Sequence, residues 1–280
     1  MSDPRTGRIA VGGGGGFIGR RVCAAVADEP AGAAAGPRWP VPFGREGPPE
    51  VGCDALVWAA GGRSDDVAAM TEVHVAAPLQ ALLTLRPRRL IYLSSAEVYG
   101  RIPAPFCEAD AACPESVYGT AKQAGEVTLG VACEALRCAL VVLRPTVVYG
   151  PGQAPTMLLP AALAALRAGR RFPATAGEQT RDFLHVDDLA ALVVRCLDDD
   201  APPGTYNAGS GRELPVREAL KVLAAAIGPD AARLLEFGAL PTRPGEAMRY
   251  AVDTTRCAAV LGWQAAISLK AGLAALARAP

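Results

Sequence analysis

The sequence predicts an α/β chain built on a doubly wound parallel sheet, and three observations carry that expectation. Short apolar runs alternate with amphipathic stretches of helical period through the first half. Five consecutive glycines, Gly12 to Gly16, stand between the first apolar run and the first helical pattern. The 280 residues suffice for one large domain, or for a large and a small one.

The elements follow in order. Arg8–Val11 reads as a short buried strand that the glycines break. Phe17–Asp28 reads as a helix, with Ile18, Val22 and Val26 four apart on one face. Residues 30–52 are rich in Pro, Gly and Ala and hold at most one strand, Trp39–Phe43, which its prolines weaken. Residues 54–60 read as a buried strand, 65–85 as a helix, Arg89–Ser94 as a strand, 116–137 as a long helix and 139–143 as a strand. Beyond Gly150-Pro151-Gly152 the pattern changes. Helices are expected at 157–168, Asp187–Leu197, 215–227 and 254–261, with no strong sheet pattern. The expected organisation is a nucleotide-binding domain over 1–150, to which 183–207 returns, and a smaller, mostly helical lobe over 151–280.

Charge and composition exclude several classes. The chain carries 28 basic and 28 acidic residues, so it lacks the basic excess of a nucleic-acid binder. The polar start, Met1 to Arg8, runs through a short strand into glycines, unlike a signal peptide. No uncharged apolar run of about 18 residues suggests a membrane span. Eight cysteines occur with no Cys-x-x-Cys pair and only two histidines, which argues against a metal site. They read as small buried hydrophobes in a reducing cytoplasm.

Gly13-x-x-Gly16-x-x-Gly19 follows a strand and opens a helix. Glycines there let the backbone turn tightly and approach a pyrophosphate, whose charge suits the helix N-terminus. The competing explanation is a flexible loop, each glycine costing about 0.5–1 kcal/mol to order. The flanking strand and helix favour nucleotide binding on a Rossmann-type sheet.

Tyr118 and Lys122 lie four apart on a predicted helix and share a face. A tyrosine beside an ammonium and an oxidised nicotinamide is a usable acid–base group for carbonyl and alcohol chemistry. Ser94-Ser95 ends a strand 23 residues earlier, where open parallel sheets border their ligand crevice. Ser95 there can orient a substrate oxygen toward Tyr118. A surface helix pair would equally explain Tyr118 and Lys122 taken alone.

With these residues in place the chain resembles the extended short-chain dehydrogenase/reductase superfamily, the NAD-dependent epimerase/dehydratase group. Gly13 to Gly19 resembles the family's glycine fingerprint. Ser94-Ser95-Ala96-Glu97-Val98-Tyr99-Gly100 resembles its catalytic serine segment, and Ser116 to Lys122 its Tyr–Lys helix. Leu143-Arg144-Pro145 through Gly152, Arg181 to Asp188, and Arg243-Pro244-Gly245-Glu246 resemble later landmarks. The resemblance implies Tyr118 as general acid–base, Ser95 as its partner, and Lys122 on the nicotinamide ribose. It implies a cofactor site of Gly13, Gly16, Phe17, Ile18, Gly19, Arg45, Ala59, Ala60, Gly61, Tyr118 and Lys122. Substrate contacts would come from Ser95, Ala96, Glu97, Val147, Arg181 and Arg243. The two arginines would hold the diphosphate of a nucleotide sugar, a bidentate role suited to guanidinium. Without the resemblance, each arginine is as well explained by a surface ion pair.

The sequence departs from the family pattern at three places. Only 34 residues separate Gly19 from Asp54, where similar proteins place a strand, a helix and another strand. Val147 stands where many carry asparagine, and Gly12 where threonine is frequent. His74 also occupies a helix position that is usually asparagine, and is read as packing. His185 is read as structural.

NAD enzymes end the second strand with a carboxylate on the ribose 2′-hydroxyl. Here Phe43-Gly44-Arg45 offers an arginine for a 2′-phosphate, which favours NADP(H); Glu46 leaves NAD(H) open. The expected activity is reduction of a 4-keto-6-deoxyhexose nucleotide. A nucleotide-sugar 4-epimerase comes second, and a dehydratase third because Ala96 replaces half of its acid–base pair. A ketoreductase on a non-sugar natural-product intermediate and a non-catalytic dinucleotide sensor remain alternatives. A homodimer stays open.

Overall fold

The computed structural model describes residues 7–28, 38–49, 52–243 and 245–278. The polar start through Thr6, most of the Pro- and Ala-rich stretch before Arg38, Glu50, Val51 and Pro244 lie outside the described residues.

The first half runs β1 (Arg8–Gly12), α1 (Phe17–Ala27), β2 (Trp39–Phe43), β3 (Ala55–Trp58), α2 (Val67–Thr71), a π turn (Glu72–Ala76), α3 (Ala77–Leu85), β4 (Arg89–Leu93), a 3-10 turn (Ala96–Tyr99), α4 (Val117–Leu136) and β5 (Ala139–Pro145). The second half runs β6 (Val147–Tyr149), α5 (Leu158–Arg167), β7 (Phe172–Ala174), β8 (Thr180–His185), α6 (Val186–Cys196), β9 (Gly204–Ala208), β10 (Glu213–Pro215), α7 (Val216–Ile227), a 3-10 turn (Ala231–Leu234), β11 (Leu235–Phe237), β12 (Arg249–Tyr250), α8 (Thr255–Leu261) and α9 (Leu269–Arg278).

Six parallel strands form the main sheet in the order β2-β1-β3-β4-β5-β9. Successive residues of its strands enter opposite cores. Ile9, Val11, Ile91, Leu93, Val141 and Leu143 pack with Val22 and Val26 of α1 and Leu189, Leu192 and Val193 of α6. Ala10, Leu56, Trp58, Leu90, Tyr92 and Val142 pack with Leu82 and Leu85 of α3 and Leu129 and Cys133 of α4. Burial on both faces explains why these strands read as unbroken apolar runs. Each fully buried Leu or Ile contributes about 1.5–3 kcal/mol.

The shortened segment after Gly19 has a structural counterpart. β2 is the edge strand, and it tolerates Pro40 and Pro42 because one side needs no ladder bonds. Between β2 and β3 the described residues form turns, without a helix or further strand. Among the described residues the sheet ends at β2.

Two expectations for the second half are corrected. The lobe is mostly helical, but the expected lack of sheet is corrected: β6, β8, β10 and β12 form a second sheet, β7 pairs with β11, and β9 joins the main sheet beside β5. Of these strands, only β8 and β9 exceed three residues, and those two are half polar, so none shows a sustained apolar period. The chain also does not end on the helix at 255–261; α9 follows, burying Gly272, Leu273 and Leu276. Among the described residues, the helical stretch Val67–Leu85 is long and apolar enough to cross a membrane by length and composition. Glu72 interrupts it, and one face packs into the core through Ala81, Leu82 and Leu85 while much of the rest is exposed.

Helix α4 is seated by two unusual contacts. Glu126 accepts from Ser94 Oγ at 2.5 Å and from Arg144 Nε and Nη2 at 3.0 and 2.6 Å, joining α4 to the ends of β4 and β5. Beside it, Gly125 lets the helix approach the π turn. A Cβ there would lie 2.3 Å from Tyr92 Oη and 2.4 Å from the His74 carbonyl oxygen. The π turn frees carbonyls that Trp58 Nε1 and Tyr92 Oη satisfy, at 3.1 Å on Val73 and 2.9 Å on His74.

Gly125→Ala is therefore expected to destabilise the fold by about 1–3 kcal/mol through overpacking against backbone. Gly130→Ala, one turn on and facing open space, is expected to stabilise by up to about 1 kcal/mol. Urea unfolding of both variants checks this. Equal stability of the two would show that α4 does not depend on the close approach.

Candidate active site

The glycine loop is shaped to hold an anion. Gly13 has φ 76°, and its Cβ would meet the Cα of Ala60 at 2.4 Å. A Cβ on Gly19 would fall 2.1 Å from the Gly13 carbonyl oxygen, so the first turn of α1 packs directly on the loop. Gly15 faces open space. Gly16 caps α1 without a side-chain hydrogen bond, and no acidic residue occupies the first turn. The N–H groups of Phe17, Ile18 and Gly19 have no intrahelical partner and stay available to a phosphate. The residues present fit the pyrophosphate of a dinucleotide. Ala59, Ala60 and Gly61 follow β3 on the adjacent side, where Ala59 N donates to the Gly12 carbonyl at 2.9 Å.

At the end of β2 the two rival side chains differ. Arg45 is exposed, whereas Glu46 folds back so that its carboxylate accepts from Gly44 N at 2.6 Å. Bonds to its own and the Gly44 backbone N–H hold Glu46 below the usual carboxylate range.

The carboxyl ends of β3 and β4, helix α4 and β12 bring the reactive groups together. Ser95 is buried and accepts from Glu97 N at 3.1 Å. Its side chain acts on both Tyr118 and Tyr250, drawing each hydroxyl down. Ser116 caps α4, accepting from Gly119 N at 2.9 Å, and Tyr118 follows in the first turn. Burial pushes the Tyr118 hydroxyl up to about 12, with Glu97 adding to the effect while Ser95 and Arg63 oppose it. Lys122, 3% exposed, donates to the Leu93 carbonyl at 2.5 Å. Burial pushes its ammonium down to about 7, opposed by Glu126.

His74 lies against this group rather than apart from it. Its ring meets Tyr118 edge-on at 5.3 Å, and Nε2 lies 3.2 Å from the Gly62 carbonyl. Burial, then the Lys122 charge, push it down to about 3, so it stays neutral. His185 caps α6, its Nδ1 accepting from Asp187 N at 3.2 Å.

The expected substrate contacts are less uniform. Ala96 is fully buried. Glu97 is already engaged, accepting from Ser116 Oγ at 2.9 Å and pairing with Arg63. Val147 opens β6 beside Phe183. Arg181 pairs with Glu246 at 2.8 Å and also donates to the carbonyls of Thr180 and Ala247. Two late sequence landmarks thus meet through one ion pair. Arg243 is exposed.

Two residues of the cluster escaped the sequence reading. Arg63 stands with its Cζ 5.7 Å from the Tyr118 ring centroid. Tyr250 comes from β12, the register partner of Arg181 on β8. Position after a strand end could have drawn attention to Arg63. Tyr250 carries no local signal, since only the second sheet brings it to Ser95. Among the described residues no group of His, Cys, Asp and Glu could hold a metal ion, and all eight cysteines are free.

Comparison with known proteins places this geometry in a family. Residues 49–209 match the model of the NAD dependent epimerase/dehydratase family. The chain is 35% identical over 196 residues to UDP-glucose 4-epimerase of Mycolicibacterium smegmatis, covering 67% of this chain and 60% of that protein. It is 30% identical over 199 residues to dTDP-glucose 4,6-dehydratase of Streptomyces niveus, covering 70% and 58%. The aligned part thus spans about three-fifths of these relatives. UDP-N-acetylglucosamine 4-epimerase from Methanobrevibacter ruminantium M1, in complex with UDP-N-acetylmuramic acid, superposes with a TM-score of 0.85 at 19% identity over 98% of both chains. RMD from Pseudomonas aeruginosa, complexed with NADPH, gives 0.81 at 24% identity over 97% of this chain and 98% of that one. With the family model matching more than half of the sequence, the chain belongs to the NAD-dependent epimerase/dehydratase family.

Proposed function

We propose that the chain is an NAD(P)-dependent oxidoreductase acting on a nucleotide-linked sugar, and that its reaction is reduction of a 4-keto-6-deoxyhexose nucleotide. The observation that carries this is the convergence of Ser95, Tyr118 and Lys122 beside an open glycine cradle. A bound nicotinamide would supply the hydride. Ser95 would hold the substrate oxygen and Tyr118 would deliver the proton to it. A tyrosine pushed up to about 12 stays protonated across the neutral range, which suits a proton donor to a developing alkoxide. Lys122 would hold the ribose, and Phe17, Ile18 and Gly19 the pyrophosphate. Arg243, and Arg181 once released from Glu246, would meet the diphosphate of the substrate. Dehydration is disfavoured, because Ala96 has no acid–base group and Glu97 is held between Arg63 and Ser116.

A 4-epimerase is the second reading. It is favoured by Glu46, a carboxylate at the end of β2 where an NAD ribose would bind, and by the relative named UDP-glucose 4-epimerase. An epimerase retains its cofactor, whereas a reductase exchanges it.

Tyr118→Phe is expected to lower turnover at least about a hundredfold, the scale of acid–base contributions, while cofactor affinity stays near wild type. Steady-state kinetics with 4-keto sugar nucleotides, together with cofactor titration, measure both. Turnover within about threefold of wild type would remove Tyr118 from the chemistry.

The cofactor choice is tested by binding. In the reductase reading Arg45→Ala weakens NADPH far more than NADH, and Glu46→Ala leaves NADH little changed. The converse, NADH lost on Glu46→Ala and NADPH indifferent to Arg45→Ala, would favour the epimerase.

A further inference from the structure

Titratable and polar groups face Tyr118 from several elements. Lys122 lies on its own helix, and neutral His74 meets its ring edge-on from the π turn. Tyr92 of β4 and Tyr250 of β12 both feel its charge. Ser95 and Glu97 come from the end of β4, and Arg63 from the loop after β3.

Two of these groups are basic side chains, and they are placed differently. The Lys122 ammonium is drawn into the protein by the Leu93 carbonyl at 2.5 Å. Its Nζ lies 5.7 Å from the Tyr118 ring centroid, and the Arg63 Cζ lies at the same 5.7 Å. Arg63 is not held by Tyr118 itself. Its guanidinium pairs with Glu97, Glu97 accepts from Ser116, and Ser116 caps the helix that carries Tyr118. The pair is thus registered to α4 by its cap, which fixes the charge relative to the tyrosine.

We propose that Arg63 is a positioning residue, a cation pinned over Tyr118 by Glu97, and that Arg63 favours the ionised tyrosine while Glu97 opposes it. This rests on reading Tyr118 as the proton-transfer group. The pair then trims the acidity of Tyr118 independently of Lys122. An ion pair whose partners have opposite effects on a third group predicts opposite signs for its two single variants, and cancellation in the double variant. A merely structural pair predicts the same sign for both.

The test needs no substrate. Tyrosinate absorption is followed against pH in the enzyme saturated with NADP⁺, with Tyr118→Phe as the blank, and the onset of ionisation is compared. Arg63→Met should move the onset up by about one pH unit, and Glu97→Gln should move it down by about as much, the lower end of the range for a charge at this distance. The double variant should lie near wild type, and Arg63→Lys between wild type and Arg63→Met. Because Arg63 is largely exposed, the shifts should shrink at high salt. Thermal unfolding of each variant identifies any that fail to fold; for such a variant Arg63→Gln or Glu97→Ala is used instead. Coincident curves for all the proteins, or single variants that shift in the same direction, would overturn the proposal. Failure of the Tyr118 reading is separate, and shows as full turnover by Tyr118→Phe.

Discussion

The seating of α4 on the sheet is the constraint from which the rest of the site follows. Glu126 takes Ser94 and both arms of Arg144 in a pocket where either charge alone would be costly. A buried pair of this kind adds little net stability over an apolar packing, but losing one partner typically costs about 3–5 kcal/mol. Its geometric effect is larger than its energetic one. It sets the rotation of α4 about its own axis, and Gly125 sets its height above the π turn. Ser116, Tyr118 and Lys122 then have one arrangement. The same seat buries Lys122 against the Leu93 carbonyl and brings His74 to the edge of Tyr118.

Burial holds the site near neutrality until something charged enters. The Tyr118 hydroxyl is pushed up and the Lys122 ammonium down, both mainly by desolvation, and His74 is neutral. Glu97 and Arg63 cancel each other at the mouth. The glycine cradle is the exception, since its free N–H groups at the start of α1 await an anion. In the proposed reading, a site balanced in this way would respond strongly to a bound dinucleotide, whose charges would enter a low-dielectric space.

Much of this was legible in the chain, and the reasons differ by element. The main strands were readable because both faces are buried, which leaves no polar interruption in Ala55–Trp58 or Arg89–Leu93 beyond a terminal residue. Helices α1 and α4 announced themselves by period and by the motifs they carry. The second sheet was not readable, because its strands are short and held by partners distant in sequence, as with Tyr250 and Arg181. Helix α9 carries a helical period in Leu269, Leu273 and Leu276, but a weak one in so short a segment. In the site, Tyr118 and Lys122 followed from their spacing, and Ser95 from its place at a strand end and the family resemblance. Arg63 and Tyr250 owe their place to tertiary proximity, which no local pattern records.

The central claim is hydride transfer between a nicotinamide and the ring of a nucleotide-linked sugar at Tyr118. Isotope transfer tests it most directly. The enzyme is given NADPH carrying deuterium at the transferable position of the nicotinamide, together with a nucleotide-linked 4-keto-6-deoxyhexose, and the sugar product is analysed by mass spectrometry and proton NMR. The account predicts one deuterium on the carbon that carried the ketone, and at least about a hundredfold less labelled product from Tyr118→Phe over the same interval. Unlabelled product, or no product with any nucleotide-linked keto sugar while a free ketone is reduced and labelled, would contradict it.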